Sequence, residues 1–286
     1  TESVMTPDPI STMPRLTIVV VTYNSRHEID IALGALREPR PCIEHEILVV
    51  DNASVDGTAA HVRGSWPDVR VIDAGGNLGF AAANNIGIRL SASEIVLLLN
   101  PDTRATGDAV DRLVSYLDAR PDAAIVGPRI VDAQGHAELS FGAMISPFSE
   151  LRQKVLGVGS GRRLPVLTQL VDTMTRRTQL VDWVSGACLM IRRADLEAAG
   201  LLDERFFMYA EDVDLCAAVR ARGRHVVFFA DAHIEHRRGR SVSSAARPTA
   251  IAYRRSQIAF YEKHHPGWAP ILKAYLKIRG RLPDNR

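Results

Sequence analysis

The first hundred residues alternate between unbroken apolar runs and amphipathic stretches. Leu16 to Val21 is a β-branched run that ends at Thr22-Tyr23-Asn24. Ile47-Leu48-Val49-Val50 ends at Asp51-Asn52, and Ile95-Val96-Leu97-Leu98-Leu99 ends at Asn100-Pro101-Asp102. A strand with one wet face would alternate apolar and polar positions; runs that do not alternate predict strands buried on both faces. Residues 26–37 set Ile29, Leu33 and Leu36 on one face of a helix. Ser54 and Asp56 are cap candidates for a helix reaching Ser65, and 69–72 reads as a short strand. A helix rich in Ala and Asn runs to Leu90, and a helix at 107–119 and a strand at 123–127 follow. This β-α-β order predicts an α/β fold, a Rossmann-like doubly wound, mostly parallel sheet.

The second half is less regular. Residues 150–180 carry Arg152, Lys154, Arg162, Arg163, Arg176 and Arg177 with glycines at 157, 159 and 161, and predict helices around a mobile loop. A strand is expected at 183–191, a short helix at 193–199, a helix at 211–222, a strand at 225–229 and a helical tail at 249–282. Three segments follow: a disordered tail at 1–14, one domain at 15–245 with halves at about 15–130 and 131–245, and a basic helical C-terminal extension at 246–286.

Composition narrows the class. An apolar content of 46% in 286 residues is ample for a core. The net charge of +2 hides an asymmetry: from Arg220 onward there are 15 Lys/Arg against 4 Asp/Glu, which points to an anionic partner. Three widely spaced cysteines, Cys42, Cys188 and Cys216, make neither a disulfide framework nor a zinc pattern, and the expected compartment is the cytoplasm. The N-terminus does not read as a signal peptide, and no apolar stretch approaches the ~20 residues that a membrane span requires. No nucleic-acid recognition motif is present, so nucleic acid is not an expected partner.

Several groups could carry chemistry. In open α/β sheets ligands bind at the carboxyl ends of the strands, where Asp51 and Asp102 fall. Asp51 could accept hydrogen bonds from a base or ribose, or simply cap the following turn. In Asn100-Pro101-Asp102 the proline breaks the strand and aims Asp102 off the sheet edge, where it could ligate Mg²⁺ or Mn²⁺ together with phosphate oxygens. Gly75-Gly76-Asn77-Leu78-Gly79 matches neither a dinucleotide fingerprint nor a Walker loop. Gly157-Val158-Gly159-Ser160-Gly161 reads as a flexible loop. Glu211-Asp212-Val213-Asp214 opens a helix, where acids are favoured by the macrodipole, but the aromatic lead-in Phe206-Phe207-Met208-Tyr209 could wall a substrate pocket. A carboxylate there could act as a general base. His233 and His236, three apart, are either structural or a metal pair.

In combination these segments resemble the inverting glycosyltransferases of family two on the GT-A fold, and most of all their bacterial rhamnosyltransferase branch. The matching pieces are Val20–Asn24, Val49–Thr58, Asn77–Gly87, Leu99–Asp102, Trp183–Ala187, Phe207–Leu215 and His236–Ser241, in the family's order across roughly 15–260. The resemblance implies that Thr22, Tyr23, Asn24 and Asp51 hold the nucleotide, and that Asn77, Gly79, Phe80 and Asn84 line the nucleotide-sugar site. Asn100 and Asp102 stand for the Asp-x-Asp metal motif, with its first acid replaced. His236 would complete a Mg²⁺ or Mn²⁺ site with Asp102. Trp183, Ser185, Gly186 and Tyr209 would shape the acceptor side, and Asp212 would be the base, with Glu211 as second choice. It further implies transfer of a sugar, L-rhamnose from dTDP-rhamnose being favoured, onto a lipid-linked polyprenyl-diphosphate saccharide in cell-envelope polysaccharide synthesis. Other UDP- or GDP-sugar donors, or nucleotide-sugar binding without turnover, are the alternatives. The tail Trp268–Leu282 mixes apolar and basic residues and could lie on an anionic membrane at the inner face, with Trp268 and Tyr275 at the interface. A homodimer is left open.

Overall fold

The protein is described by a computed structural model covering residues 13–161, 164–237 and 246–283. Four strands, β1 (Leu16–Thr22), β2 (His45–Asp51), β3 (Arg70–Asp73) and β4 (Ile95–Leu99), run parallel in the order β3-β2-β1-β4. Every residue of β1 and β4 is buried, as their unbroken apolar runs require. Helices α1 (Ile29–Arg37), α2 (Thr58–Ser65) and α3 (Phe80–Arg89) connect them. The two-residue period of β1 separates two cores. Leu16, Ile18 and Val20 pack with Ile29, Leu33 and Val62 of α1 and α2, whereas Val19 and Val21 pack with Ala81 and Ile88 of α3. Helices therefore cover both faces of the sheet.

Beyond β4 come β5 (Thr103–Arg104), α4 (Gly107–Ala119), β6 (Ala123–Val131), β7 (Phe141–Gly142), α5 (Pro147–Gly161), α6 (Pro165–Met174) and β8 (Gln179–Leu180). They are followed by β9 (Trp183–Val184), β10 (Cys188–Arg192), α7 (Arg193–Ala199), α8 (Glu211–Ala221), β11 (His225–His236), α9 (Ala246–His264) and α10 (Ala269–Ile278). The sheet continues β4-β10-β6-β11-β5. β10 lies antiparallel to both β4 and β6, so the sheet is mixed but mostly parallel.

Three expectations need correction. The strand predicted at 183–191 is two strands broken at 185–187. There Ser185 N–H donates to Ser140 O, and Ala187 O accepts from Asn100 N–H, so the chain leaves β7 and joins the central sheet. The glycine-bearing stretch at 157–161 is not a loop but the last turns of α5. The strand predicted at 225–229 runs on to His236, because a bulge between Phe229 and His233 re-phases its pairing with β6. That extension brings His236 opposite Thr103 on β5. The tail forms two helices. Phe260 and Tyr261 of α9 are buried with Phe206 and Val213, so α9 packs against the start of α8. Residues 1–12 of the predicted tail and 238–245, which carry most of the His236–Ser241 motif, lie outside the described residues.

Candidate functional site

The carboxyl ends of β1, β2 and β4 meet at one edge. Thr22 pairs with Asp51 in register, and Thr22 Oγ1 donates to Asp51 Oδ1 at 3.1 Å. The other oxygen of Asp51 accepts from Ser54 N–H at 3.0 Å, so the acid both caps the turn and lies at the sheet edge. Asn24 sits at φ 53°, and its side chain accepts from Val55 N–H at 2.9 Å, bracing the same turn. Tyr23 is exposed beside it. Asn52 Nδ2 donates to Asn77 Oδ1 (3.1 Å) and Gly79 O (3.2 Å), and Leu78 N–H donates back to Asn52 Oδ1. The predicted Asn77 thus acts through the loop it shapes. Asn84 is buried, with its amide donating to Phe80 O and, among the described residues, its Oδ1 without a partner.

Gly79 ties this loop to the distant aromatic segment. It sits at φ +87°, and any Cβ there would collide with the backbone carbonyl of Phe207. The next residue, Phe80, donates its N–H to that carbonyl at 2.6 Å. Tyr209 (φ 74°) and Ala210 (φ 69°) then take left-handed conformations in succession before α8 begins. Non-glycine residues in this region carry a cost of about 1–2 kcal/mol each, and such strain concentrates at functional sites. Here it sets the start of α8 against the break between β9 and β10. Asp212 Oδ2 accepts from Gly186 N–H at 2.7 Å and Oδ1 from Val213 N–H at 2.8 Å. A Cβ on Gly186 would lie 3.3 Å from Asp212 Cβ and 3.6 Å from the Phe80 ring, so this glycine is where the donor-side loop and the acid come together.

The two acids of α8 differ. Burial raises the Asp212 carboxyl above its usual range, against the two backbone N–H donors that favour its charged form. Glu211 is buried with Oε2 unpartnered, and burial, then the neighbouring Asp212 charge, push it well above the carboxylate range. Burial thus favours the neutral form of Glu211, while Asp212 keeps two N–H donors that favour its charged form. Asp214 is fixed elsewhere, by Lys263 Nζ at 2.8 Å and His264 Nε2 at 2.6 Å, both from α9.

Asp212 opens onto a cavity of about 330 Å³ lined also by Trp183, Tyr209, Glu150, Tyr253 and Gln257. Trp183 is steered by its indole N–H on Ala143 O at 2.9 Å, and Tyr209 meets Tyr253 edge-on at 5.7 Å. Ser185 is not among the lining residues; its hydroxyl accepts from Ala187 N–H and shapes the strand break. Glu150, Tyr253 and Gln257 were missed by sequence reading, because they come from α5 and α9 and carry no local motif. Gln257 Nε2 and Tyr261 OH both donate to Glu150, at 2.7 and 2.9 Å, locking the two helices together.

At the other end of the edge, His236 Nε2 lies 3.3 Å from Asp102 Oδ1 and His236 Nδ1 lies 3.6 Å from Glu138 Oε2. Burial alone would lower the imidazole; the two carboxylates outweigh it and raise it to about 9. Glu138 is a fourth residue that sequence reading missed, lying in an irregular stretch after β6. Asn100 is half-buried, its backbone N–H bonded to Ala187 O. His233 does not join His236: it is exposed, and an odd separation along a strand sends side chains to opposite faces. Among the described residues no three His, Cys, Asp or Glu side chains converge on one point. The two carboxylates sit on opposite nitrogens of His236, so one cation could meet Asp102 and His236 together but not all three. That donor set, one oxygen and one imidazole nitrogen, suits a Mg²⁺ or Mn²⁺ ion completed by phosphate and water oxygens.

Residues 17–162 match the profile described as Glycosyl transferase family 2, and residues 95–273 match Glycosyl transferase family group 2. The chain is 28% identical to the N-acetylglucosaminyl-diphospho-decaprenol L-rhamnosyltransferase of Mycobacterium tuberculosis (strain ATCC 25618 / H37Rv), over 95% of both proteins. It is 26% identical to Rhamnosyltransferase WbbL of Escherichia coli (strain K12), over 60% of this chain and 67% of that one. Its fold is similar to that of mannosyltransferase PcManGT from Pyrobaculum calidifontis in complex with GDP-Man and Mn²⁺, with a TM-score of 0.60 at 20% identity, covering 93% of this chain and 70% of that one.

Proposed function

We infer that this chain, which belongs to glycosyl transferase family 2 and has the GT-A fold, moves L-rhamnose from dTDP-rhamnose onto a lipid-linked, polyprenyl-diphosphate saccharide. That it is a glycosyltransferase follows from the family. The donor and acceptor are supported by its likeness to the mycobacterial rhamnosyltransferase along nearly its whole length. The observation that carries the chemistry is the junction at Gly186, where a raised-pKa carboxylate and the donor-side Phe80 flank one backbone position beside an open cavity.

The reaction is a single displacement. The acceptor hydroxyl, seated in the cavity, gives its proton to Asp212 as its oxygen bonds to the anomeric carbon. The bond from that carbon to the diphosphate breaks, the electron pair leaves with the nucleoside diphosphate, and the anomeric configuration inverts. A second carboxylate nucleophile is not needed, and Glu211, buried in surroundings that disfavour its charged form, is not fitted to be one. Thr22, Asp51 and the Asn77–Phe80 loop hold the nucleotide and sugar. Asp102 and His236 would hold a Mg²⁺ or Mn²⁺ ion, which when bound neutralises charge on the leaving diphosphate.

Among the described residues no helix is long and apolar enough to cross a membrane. α10 exposes Ile271, Tyr275 and Ile278 close to Lys273, Lys277 and Arg279. This supports peripheral attachment to an anionic lipid surface.

The test is release of nucleoside diphosphate from a panel of nucleotide sugars, with Mg²⁺ or Mn²⁺ and N-acetylglucosaminyl-diphospho-polyprenol. Release with dTDP-rhamnose and little with UDP- or GDP-sugars is expected; the reverse preference sinks the donor. Asp102→Ala should weaken the metal-dependent part of donor binding, and unchanged metal dependence removes Asp102 from that role.

A further inference from the structure

We propose that the apolar cavity under α5 binds the first isoprene units of the acceptor's lipid carrier, with Arg152 on its diphosphate. The inference rests on the lipid-linked acceptor argued above. The cavity, about 550 Å³, is walled by Leu139, Phe141, Phe148, Leu156, Met174 and Leu180. It lies beside the acceptor cavity. Gln153 borders both, its amide lying over Gly142 where any side chain would displace it. Asp182 lines the apolar cavity and its neighbour Trp183 the acceptor cavity.

Charge complementarity selects the occupant. Arg152 lines the same cavity as these apolar residues and Gln153, and among the described residues no carboxylate is in salt-bridge reach of it. The acids nearby are committed: Asp182 to Arg220 at 2.7 Å and to Met144 N–H, Glu150 to Gln257 and Tyr261. The acceptor cavity is polar and aromatic, and the cavity beside it combines Arg152 with apolar walls. A saccharide joined through a diphosphate to an isoprenoid chain asks for that combination. The outer surface continues the apolar character. Phe148 is 79% exposed and Leu180 59%, while Leu151 and Val155 of α5 and Val166 and Leu170 of α6 are also exposed. Exposed apolar surface on this scale marks a binding site. The longer part of the chain would lie along that face.

The experiment compares acceptor KM for N-acetylglucosaminyl diphosphate carried on a decaprenyl chain and on a two-isoprene chain, in detergent, for wild type, a Phe148→Ser/Leu180→Ser variant and Arg152→Gln. Both altered apolar positions are exposed, and the melting temperature checks folding. The double variant should raise KM for the long acceptor about tenfold relative to the short one, erasing the chain-length preference. Arg152→Gln should raise KM about tenfold for both acceptors, since both carry the diphosphate, with donor KM unchanged. A double variant that keeps the wild-type preference overturns the lipid site while leaving the acceptor class standing. So does a preference lost only when phosphatidylglycerol vesicles replace detergent, since the face would then bind the bilayer. A wild-type enzyme that uses the free saccharide as well as either lipid-linked acceptor overturns the acceptor reading and this inference with it.

Discussion

The two sides of the site are built in different ways. The donor edge is made of strand ends: Thr22, Asp51 and Asn100 each follow an apolar run, and the parallel register sets Thr22 beside Asp51. The acceptor side draws on four separated stretches: α5, the β9–β10 break, the loop that runs into α8, and α9. A sheet edge can be read from local pattern, because strand ends in a parallel sheet must line up. A cavity between helices depends on long-range docking, which local pattern does not encode.

The sharpest way to break this comparison is at the acid that both sides converge on. Asp212→Asn can accept from only one of the Gly186 and Val213 N–H groups, because its amide nitrogen is a donor, and it loses the base. It should lower kcat by about 10³ while donor affinity, followed by calorimetry, stays within about twofold. Full turnover in the variant would move the base elsewhere. Next is the joint between the sides. Gly79→Ala would force a Cβ onto the Phe207 carbonyl at a positive φ, and should cost about 2–4 kcal/mol of stability in denaturant unfolding, with transfer falling alongside. If donor binding alone suffers, the two sides are less coupled than the contact implies.

A smaller effect separates the two acids of α8. A carboxyl with a raised folded-state pKa keeps its proton where the unfolded chain has lost it. Its stabilising contribution is whole below the unfolded value near 4.5 and is lost as pH climbs from there through the folded value. Glu211→Gln is neutral throughout, so it should melt above wild type at pH 8 and level with it near pH 4. An equal difference at both pH values would mean that Glu211 is not held protonated. By the same logic, the acid limb of the kcat profile should fall above the usual aspartate range, reporting Asp212. The smallest effect concerns strain. Ala210→Gly relieves a left-handed alanine and should stabilise by about 0.5–1 kcal/mol, while loosening the presentation of Asp212 lowers kcat a few-fold.

Much of the donor half was legible. The β-α-β order, the buried strands and the acids at their ends all appear where the apolar runs predicted. Asn84 is buried in α3, which a motif alone does not reveal, since it does not say which helix face a residue occupies. The choice left open for His233 and His236 was decided by the strand period, which sends them to opposite faces of β11, a strand whose extension past its bulge could not be seen locally. Glu138, Glu150, Tyr253 and Gln257 carried no signal, since each matters only through partners about 50 to 110 residues away or farther.

By itself, then, the sequence determined the doubly wound core, the acids at the sheet edge and the acidic segment that opens α8, because burial pattern and chain termination are local properties. Tertiary structure alone decided how deeply each acid of α8 is buried, where His236 lands and what walls the cavity beside Asp212. Desolvation, register and helix docking are set by what surrounds a residue, and those surroundings come from parts of the chain far away in sequence.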